Sequence, residues 1–297
     1  MDTTARLKRY LISRYRALTG PGGFATAAAG TFAPGTSILN SYVRSAPTPQ
    51  NALDIFKGEW ASRLPAPHDA LAAGSLPLFA DARVSRFLAE IGGVAGKTVL
   101  ELGPLEGGHS YMLDRAGAAR VVSIEGNTRA FVKCLIVKEL LGLPNVQFQC
   151  GDFIAYLRAT DQRFDACVAS GVLYHMQNPA ELIALLAAHC TGHVYFWTHY
   201  YDATLIARHS KTSHKYPGSR QHTHLGFEHV LHVHEYQRAL DQQSFCGGSA
   251  PTSCWMTKDD ILRALEFFGF SGVRVLGDQP DHPNGPAFEV MAARRDY

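Results

Sequence analysis

The chain has 297 residues, 46% of them hydrophobic and 18% charged, with a formal net charge of +2. This is ordinary globular composition, and a chain of this length buries a core without disulfide or metal staples. The near-zero balance of charge excludes an acidic or basic bias as a clue to any partner.

In chain order, Met1–Leu18 reads as a basic amphipathic helix packed on its own domain, with a surface for anionic lipid or nucleic acid as the alternative. Arg6, Lys8, Arg9, Arg14 and Arg16 interrupt its apolar residues, so no signal-peptide core is expected. No stretch approaches the ~20 apolar residues of a membrane span. Clusters of Gly, Ala, Thr and Pro at 19–37 and 46–49 make residues 1–80 a helical and irregular extension. Residues 81–297 read as the main domain, with a polar, histidine-rich insert at about 200–255. Six cysteines, at 134, 150, 167, 190, 246 and 254, form no Cys-x-x-Cys pair. They are expected to be reduced core residues of a cytoplasmic protein.

Within the main domain, strand and helix patterns alternate. A helix is expected over Asp81–Ile91, with Val84, Phe87, Leu88 and Ile91 on one face. Strands follow at Lys97–Leu102, Ala119–Glu125, Val146–Cys150, Phe164–Ser170 and Val194–Thr198. Between them lie helices at Gly108–Ala116, from the cap Asn127 to Leu141 with Gly142 as its stop, and at Pro179–His189 behind the cap Asn178. Strands separated by helices imply right-handed crossovers and a parallel sheet. Thr257 then opens a helix that stops at Gly269. The last strands, Val273–Leu276 and Phe288–Ala292, are joined by a loop too short for a crossover helix, so they must be antiparallel.

In an open parallel sheet, ligands bind at the carboxyl ends of the strands. Three acids sit at such ends: Glu101, Glu125 and Asp152. Between Glu101 and the next helix lies a glycine-bearing turn, Gly103-Pro104-Leu105-Glu106-Gly107-Gly108, where backbone can approach a ligand closely. A nicotinamide-binding Rossmann domain is the competing reading, but it requires Gly-x-Gly-x-x-Gly, which this loop does not supply.

These residues resemble the class I S-adenosylmethionine-dependent methyltransferases, whose first motif is acid-x-Gly-x-Gly-x-Gly. Here it runs Glu101 to Gly107, with Leu105 in place of the middle glycine. The resemblance implies a Rossmann-like α/β fold: a seven-stranded, mostly parallel sheet closed by an antiparallel C-terminal hairpin. It implies S-adenosylmethionine as cofactor. Glu101 and Gly103 would border its methionine end, Glu125 would hold its ribose, and Asp152 and Phe153 would frame its adenine, with Pro104, Gly107, Gly126, Asn127 and Gly171 also at the cofactor. A narrower resemblance joins Phe56-Lys57-Gly58-Glu59-Trp60, Lys138 to Gly142 and Ser170 to His175 to the tRNA wobble-uridine carboxymethyltransferase and its methyltransferase relatives. There the Tyr-His pair is followed by two arginines; Met176 and Gln177 stand in their place here.

Candidate catalytic residues are those leaving the strand ends with titratable groups: Tyr174 and His175 after the fourth strand, and His199 after the fifth. A hydroxyl nucleophile needs a base, and histidine suits neutral pH. The Tyr-His pair could instead form only a wall of the methionine pocket, and His282 a Pro-bracketed turn. Eight of the fourteen histidines (199, 209, 214, 222, 224, 229, 232 and 234) fall in 199–234. No cysteine or carboxylate joins them at a known metal spacing, so a lid over the substrate is expected rather than a metal site. The expected activity is methyl transfer to a polar small molecule, a sugar or natural-product precursor, with oxygen favoured and sulfur, nitrogen and carbon open. The alternatives are a tRNA base-modifying enzyme and a non-catalytic scaffold of the same fold. Neither nucleic acid nor membrane is the expected partner, and the N-terminal extension is available for a homo-oligomer contact.

Overall fold

In the computed structural model, residues 38–208 and 211–295 are described. The expected helix at Met1–Leu18, the segment 19–37 and His209 lie outside them. The chain divides into two compact units, Met1–Pro47 and Thr48–Tyr297. Of the first, the described part holds one 3-10 turn, Ile38–Ser41, all of it exposed.

The second unit begins with a short helix α1 (Pro49–Leu53) and continues through α2 (Ala82–Glu90) into an alternating series. Its members are β1 (Thr98–Leu102), α3 (Gly108–Arg115), β2 (Arg120–Glu125), α4 (Thr128–Leu141), β3 (Val146–Cys150), α5 (Phe153–Ala159), β4 (Phe164–Ser170), α6 (Pro179–His189) and β5 (Cys190–His199). After the insert come α8 (Lys258–Phe267), β9 (Phe270–Gln279) and β10 (Ala287–Arg294). These strands form one seven-stranded sheet in the order β3-β2-β1-β4-β5-β10-β9. All pairings are parallel except those of β10, which runs antiparallel to both β5 and β9.

Local chemistry sets the helix ends. The Asn127 side chain accepts from the Arg129 and Ala130 amides, and Gly142 ends α4 in the left-handed region at φ +59°. Asp81, Asp152 and Asn178 cap α2, α5 and α6 in the same way. Three strands, β5, β9 and β10, exceed their expected length. β5 starts at Cys190, directly after α6, and β9 runs through Gly277 to Gln279. Cys190 pairs with Phe164 of β4, while His199 and Gly277 to Gln279 pair with β10, ladder partners that period-2 patterning cannot register.

Apolar side chains cover both faces of the sheet. One cluster joins Leu100, Val122, Phe196 and Val290 to Leu182, Leu186, Ile261 and Leu265. The other joins Val99, Val121, Ala166 and Tyr195 to Phe87, Leu113 and Val137, and also to Leu53, Phe56, Trp60 and Leu64. The boundary drawn at residue 81 therefore falls inside the unit, because residues 53–64 fill the sheet's second face. Cys134, Cys167, Cys190 and Cys254 are buried; Cys150 and Cys246 are exposed, unlike the core positions expected of them. Cys150 ends the edge strand β3, where only one side of the strand is covered.

The described residues of the insert form regular structure. They hold α7 (Ala203–Arg208) and a separate antiparallel sheet of β6 (Gly218–His224), β7 (Phe227–Glu235) and β8 (Thr252–Trp255). Phe227, Leu231 and Cys254 tie it to the first core cluster.

Candidate active site

The glycine-bearing turn after β1 is held by close packing. Gly103 sits at φ +64°, and a Cβ there would lie 2.6 Å from Val172 Cγ1. Leu105, where the motif has glycine, still takes the left-handed conformation at φ +57°. Its amide donates to Glu125 Oε2 at 3.0 Å, while the Asn127 amide donates to Oε1 at 2.8 Å. Glu106 is buried beneath the turn. It accepts from the amides of Ala61 and Ser62 and pairs with Lys133 Nζ at 3.1 Å, fastening residues 61–62 to the loop. At Gly108 a Cβ would lie 2.7 Å from the Leu78 carbonyl oxygen, so the start of α3 presses against the chain entering α2.

Around this loop lies a cavity of about 1080 Å³. Gly103, Pro104, Glu125, Gly126, Asn127, Asp152, Phe153 and Gly171 line it, as the methyltransferase resemblance implies. Glu101 and Gly107 do not. Glu101 is 1% exposed below the turn, where its Oε2 accepts from Ser110 and Ser123. Burial pushes its carboxyl pKa up, against the pull of His109 and those hydroxyls. Gly107 instead opens α3 at φ +78°, packed against Phe148. These two residues shape the loop from behind rather than forming the cavity wall.

S-adenosylmethionine fits these residues. Glu125 is a carboxylate at the cavity wall, its pKa raised by burial and lowered in turn by the amides of Asn127, Leu105 and Gly126. It can take hydroxyl donors as well as those amides, since each carboxylate oxygen has two lone pairs. Asp152 caps α5 through Oδ1 alone, leaving Oδ2 for an amino donor. Glu101 Oε1, behind the loop, is buried with no hydrogen-bond partner among the described residues.

Beyond the cofactor loop the cavity continues between Leu76, Leu78, Arg83, His109, Trp197, His282 and Asn284. Arg83 lies over the Trp197 ring at 4.6 Å and pairs with Asp81 at 2.6 Å. His109 Nε2 meets the same Asp81 carboxylate at 2.9 Å. Burial alone would raise the Asp81 pKa, but the hydrogen bonds from His109 and Arg83 outweigh it and hold the carboxyl well below its usual range. The roof is the segment before β8, with Phe245, Cys246 and Gly248–Ala250 facing in. Asn127 Nδ2 donates to the Phe245 carbonyl at 3.0 Å.

The three candidate catalytic residues fare differently. Tyr174 and His175 line the cavity. Burial raises the Tyr174 hydroxyl pKa, so it remains protonated. Tyr236 Oη donates to the Gly247 carbonyl at 2.7 Å and meets His175 Nδ1 at 2.8 Å, which makes Nδ1 the donor of that pair. Burial, followed by His199 and His234, pushes the His175 pKa down to about 3, leaving little proton affinity for a base. His199 does not reach the cavity wall. It is 5% exposed, its Nδ1 bonds the Gly285 carbonyl at 2.9 Å, and its ring stacks on Trp255. The extension of β5 to residue 199 carries this side chain into the layer behind Tyr174.

His109, Asp81 and Arg83 are absent from the candidates read in the sequence. Asp81 is legible there only as the start of a helix, and nothing in their spacing relates it to a histidine 28 positions on. Among the described histidines of the insert, His232 stacks on Tyr201, His234 on Trp255, and His222 faces His229 across the ladder.

A family model described as "Methyltransferase domain" matches residues 94–269. None of the curated proteins matches the chain. Among solved structures, the N-terminal domain of EvdMO1, crystallised in the presence of SAH and D-fucose, is similar at TM-score 0.63 and 22% identity, over 83% of this chain and 95% of that one. Against the longer EvdMO1 chain the TM-score is 0.54 at 20% identity, and the match covers 83% of this chain but 47% of that one. Magnesium protoporphyrin IX methyltransferase from Synechocystis PCC 6803, with bound SAH, is similar at TM-score 0.50 and 18% identity, over 71% of this chain and 80% of that one. These likenesses match the sheet order and the antiparallel β10, and the family match spans the cofactor loop, the three acids and the insert. The chain belongs to the methyltransferase-domain family, as an enzyme dependent on S-adenosylmethionine.

Proposed function

We propose that this enzyme methylates a hydroxyl of a polar small molecule, a sugar or natural-product precursor. The observation that carries the reading is the second half of the cavity. It is roofed by residues 245–250 and lined by Leu76, Leu78 and Trp197 together with Arg83, His109 and Asn284. At about 1080 Å³ the cavity exceeds the ~300–1,000 Å³ usual for one drug-sized ligand, so a compact acceptor has room beside the cofactor. Apolar surface interspersed with hydrogen-bonding groups suits a ring bearing several hydroxyls. The EvdMO1 domain, crystallised with D-fucose present, is a structural neighbour consistent with such an acceptor.

Bound S-adenosylmethionine supplies an electrophilic methyl group. The chain's own part is to hold donor and acceptor in line, and the roof excludes water from between them. The test is incubation with methyl-labelled S-adenosylmethionine and cell extract, followed by separation of small molecules from RNA. Label in an alkali-stable ether of a small molecule is expected, and Glu125→Ala should weaken cofactor binding at least tenfold by calorimetry. Label confined to RNA would replace this reading with the tRNA one. Absence of cofactor binding would leave only a scaffold.

A further inference from the structure

We propose that His109, oriented by Asp81, is the base that deprotonates the acceptor hydroxyl. This rests on the reading of hydroxyl methylation above. Gly108 permits the close approach of α3 to Leu78, and three residues after Leu78 the chain reaches Asp81 at the start of α2. That contact brings the two residues together at the wall of the cavity's acceptor half.

The protonation pattern follows from the hydrogen bonds. Asp81 is held anionic by Arg83, whose Nε and Nη2 both donate to it. A carboxylate can only accept, so a neutral His109 must carry its proton on Nε2. The lone pair then sits on Nδ1, which has no hydrogen-bond partner among the described residues and belongs to a ring lining the cavity. His109 is the second residue of α3, directly after the cofactor loop, so it lies at the methionine end rather than among Glu125, Asn127 and Asp152.

In the step itself, the acceptor oxygen forms a bond to the methyl carbon as the carbon–sulfur bond breaks. The electron pair of that bond goes to sulfur, cancelling its positive charge, and the hydroxyl proton goes to His109 Nδ1. Asp81 acts as the positioning residue: it fixes the tautomer and balances the imidazolium that forms. The imidazolium then returns its proton to solvent. His175 and His199 are less suited, the first by its hydrogen-bonded burial and the second by its place behind the wall.

Two measurements test this. Nitrogen NMR of the histidine-labelled protein should find the neutral form of His109 with its proton on Nε2, and Asp81→Asn, which preserves a helix cap, should lose that preference. A neutral form with its proton on Nδ1 would overturn the assignment without any acceptor being known. In the labelled-extract assay, His109→Gln should bind S-adenosylmethionine as the wild type does while forming ether at least ~100-fold more slowly. Wild-type ether formation with an undiminished His109→Gln rate sinks the base and leaves the function standing. No ether from the wild type sinks the function first, and the base with it.

Discussion

Gly103 and Leu105 occupy the same turn and both adopt positive φ, yet their side chains make different demands. Leu105 accepts roughly 1–2 kcal/mol of left-handed strain and offsets it through its amide bond to Glu125. The motif's missing glycine is thus compatible with the motif's backbone. Gly103 has no such latitude, because a Cβ would meet Val172 Cγ1 at 2.6 Å. Gly103→Ala is expected to cost about 2 kcal/mol, lowering the melting temperature by several degrees and weakening cofactor binding. Adding Val172→Ala should recover part of both, as calorimetry and thermal melts would show. An unchanged melt in the single variant would mean that the loop relaxes around the added methyl. The acid after β2 could be recognised from its strand end alone, whereas the Asp81–His109 pair could not, since it depends on where two helices touch.

The insert was read as a histidine-rich lid, and its chemistry is that of packing as much as of hydrogen bonding. Its small sheet puts Trp255 between His199 and His234, both stacked on it, and places Tyr236 against His175. Burial pushes His234 down to about 4, with Lys215 and His199 adding to the effect, and His175 down to about 3. In the unfolded chain both would titrate near 6.5. The folded state therefore binds fewer protons between those values, and stability is fully present above about 6.5. It is lost as pH falls, down to about 4 for His234 and about 3 for His175, by up to roughly 1 kcal/mol per pH unit for each. Melting temperatures recorded from pH 7 to 4.5 should fall steeply, and less steeply in His175→Gln and His234→Gln. Parallel slopes in all three proteins would count against histidine burial as the cause.

At the scale of the whole molecule, residues 48–80 belong with the sheet. Leu53, Phe56, Trp60 and Leu64 pack in the cluster that covers Val99 and Val121, and the buried Glu106 ties residues 61–62 to the cofactor loop. A chain beginning at residue 81 would expose that cluster and strand Lys133 against an unsupported loop. The expected outcome is insoluble protein, or a soluble one that fails to bind S-adenosylmethionine in calorimetry, since the buried Glu106 loses the amide donors of residues 61–62 in addition to the lost apolar burial. A soluble truncated protein with normal affinity would show that the second face is covered well enough by α2, α3 and α4. Among the described residues no helix is long and apolar enough to cross a membrane.

What the sequence determined by itself was everything set by short-range chemistry. Helix caps, glycine stops and apolar periodicity located the elements of the sheet, and the acids at successive strand ends pointed to the methyl donor. Those signals are legible because a cap, a turn or a strand end is encoded within a few residues. The tertiary structure alone decided which histidines face the cavity and what each is held by. β10 pairing lengthened β5 until His199 fell behind the wall, and the roof held His175 against Tyr236. The contact permitted by Gly108 joined His109 to Asp81 from separate helices. Long-range packing places a side chain by the sum of many weak contacts, and no local pattern carries that sum.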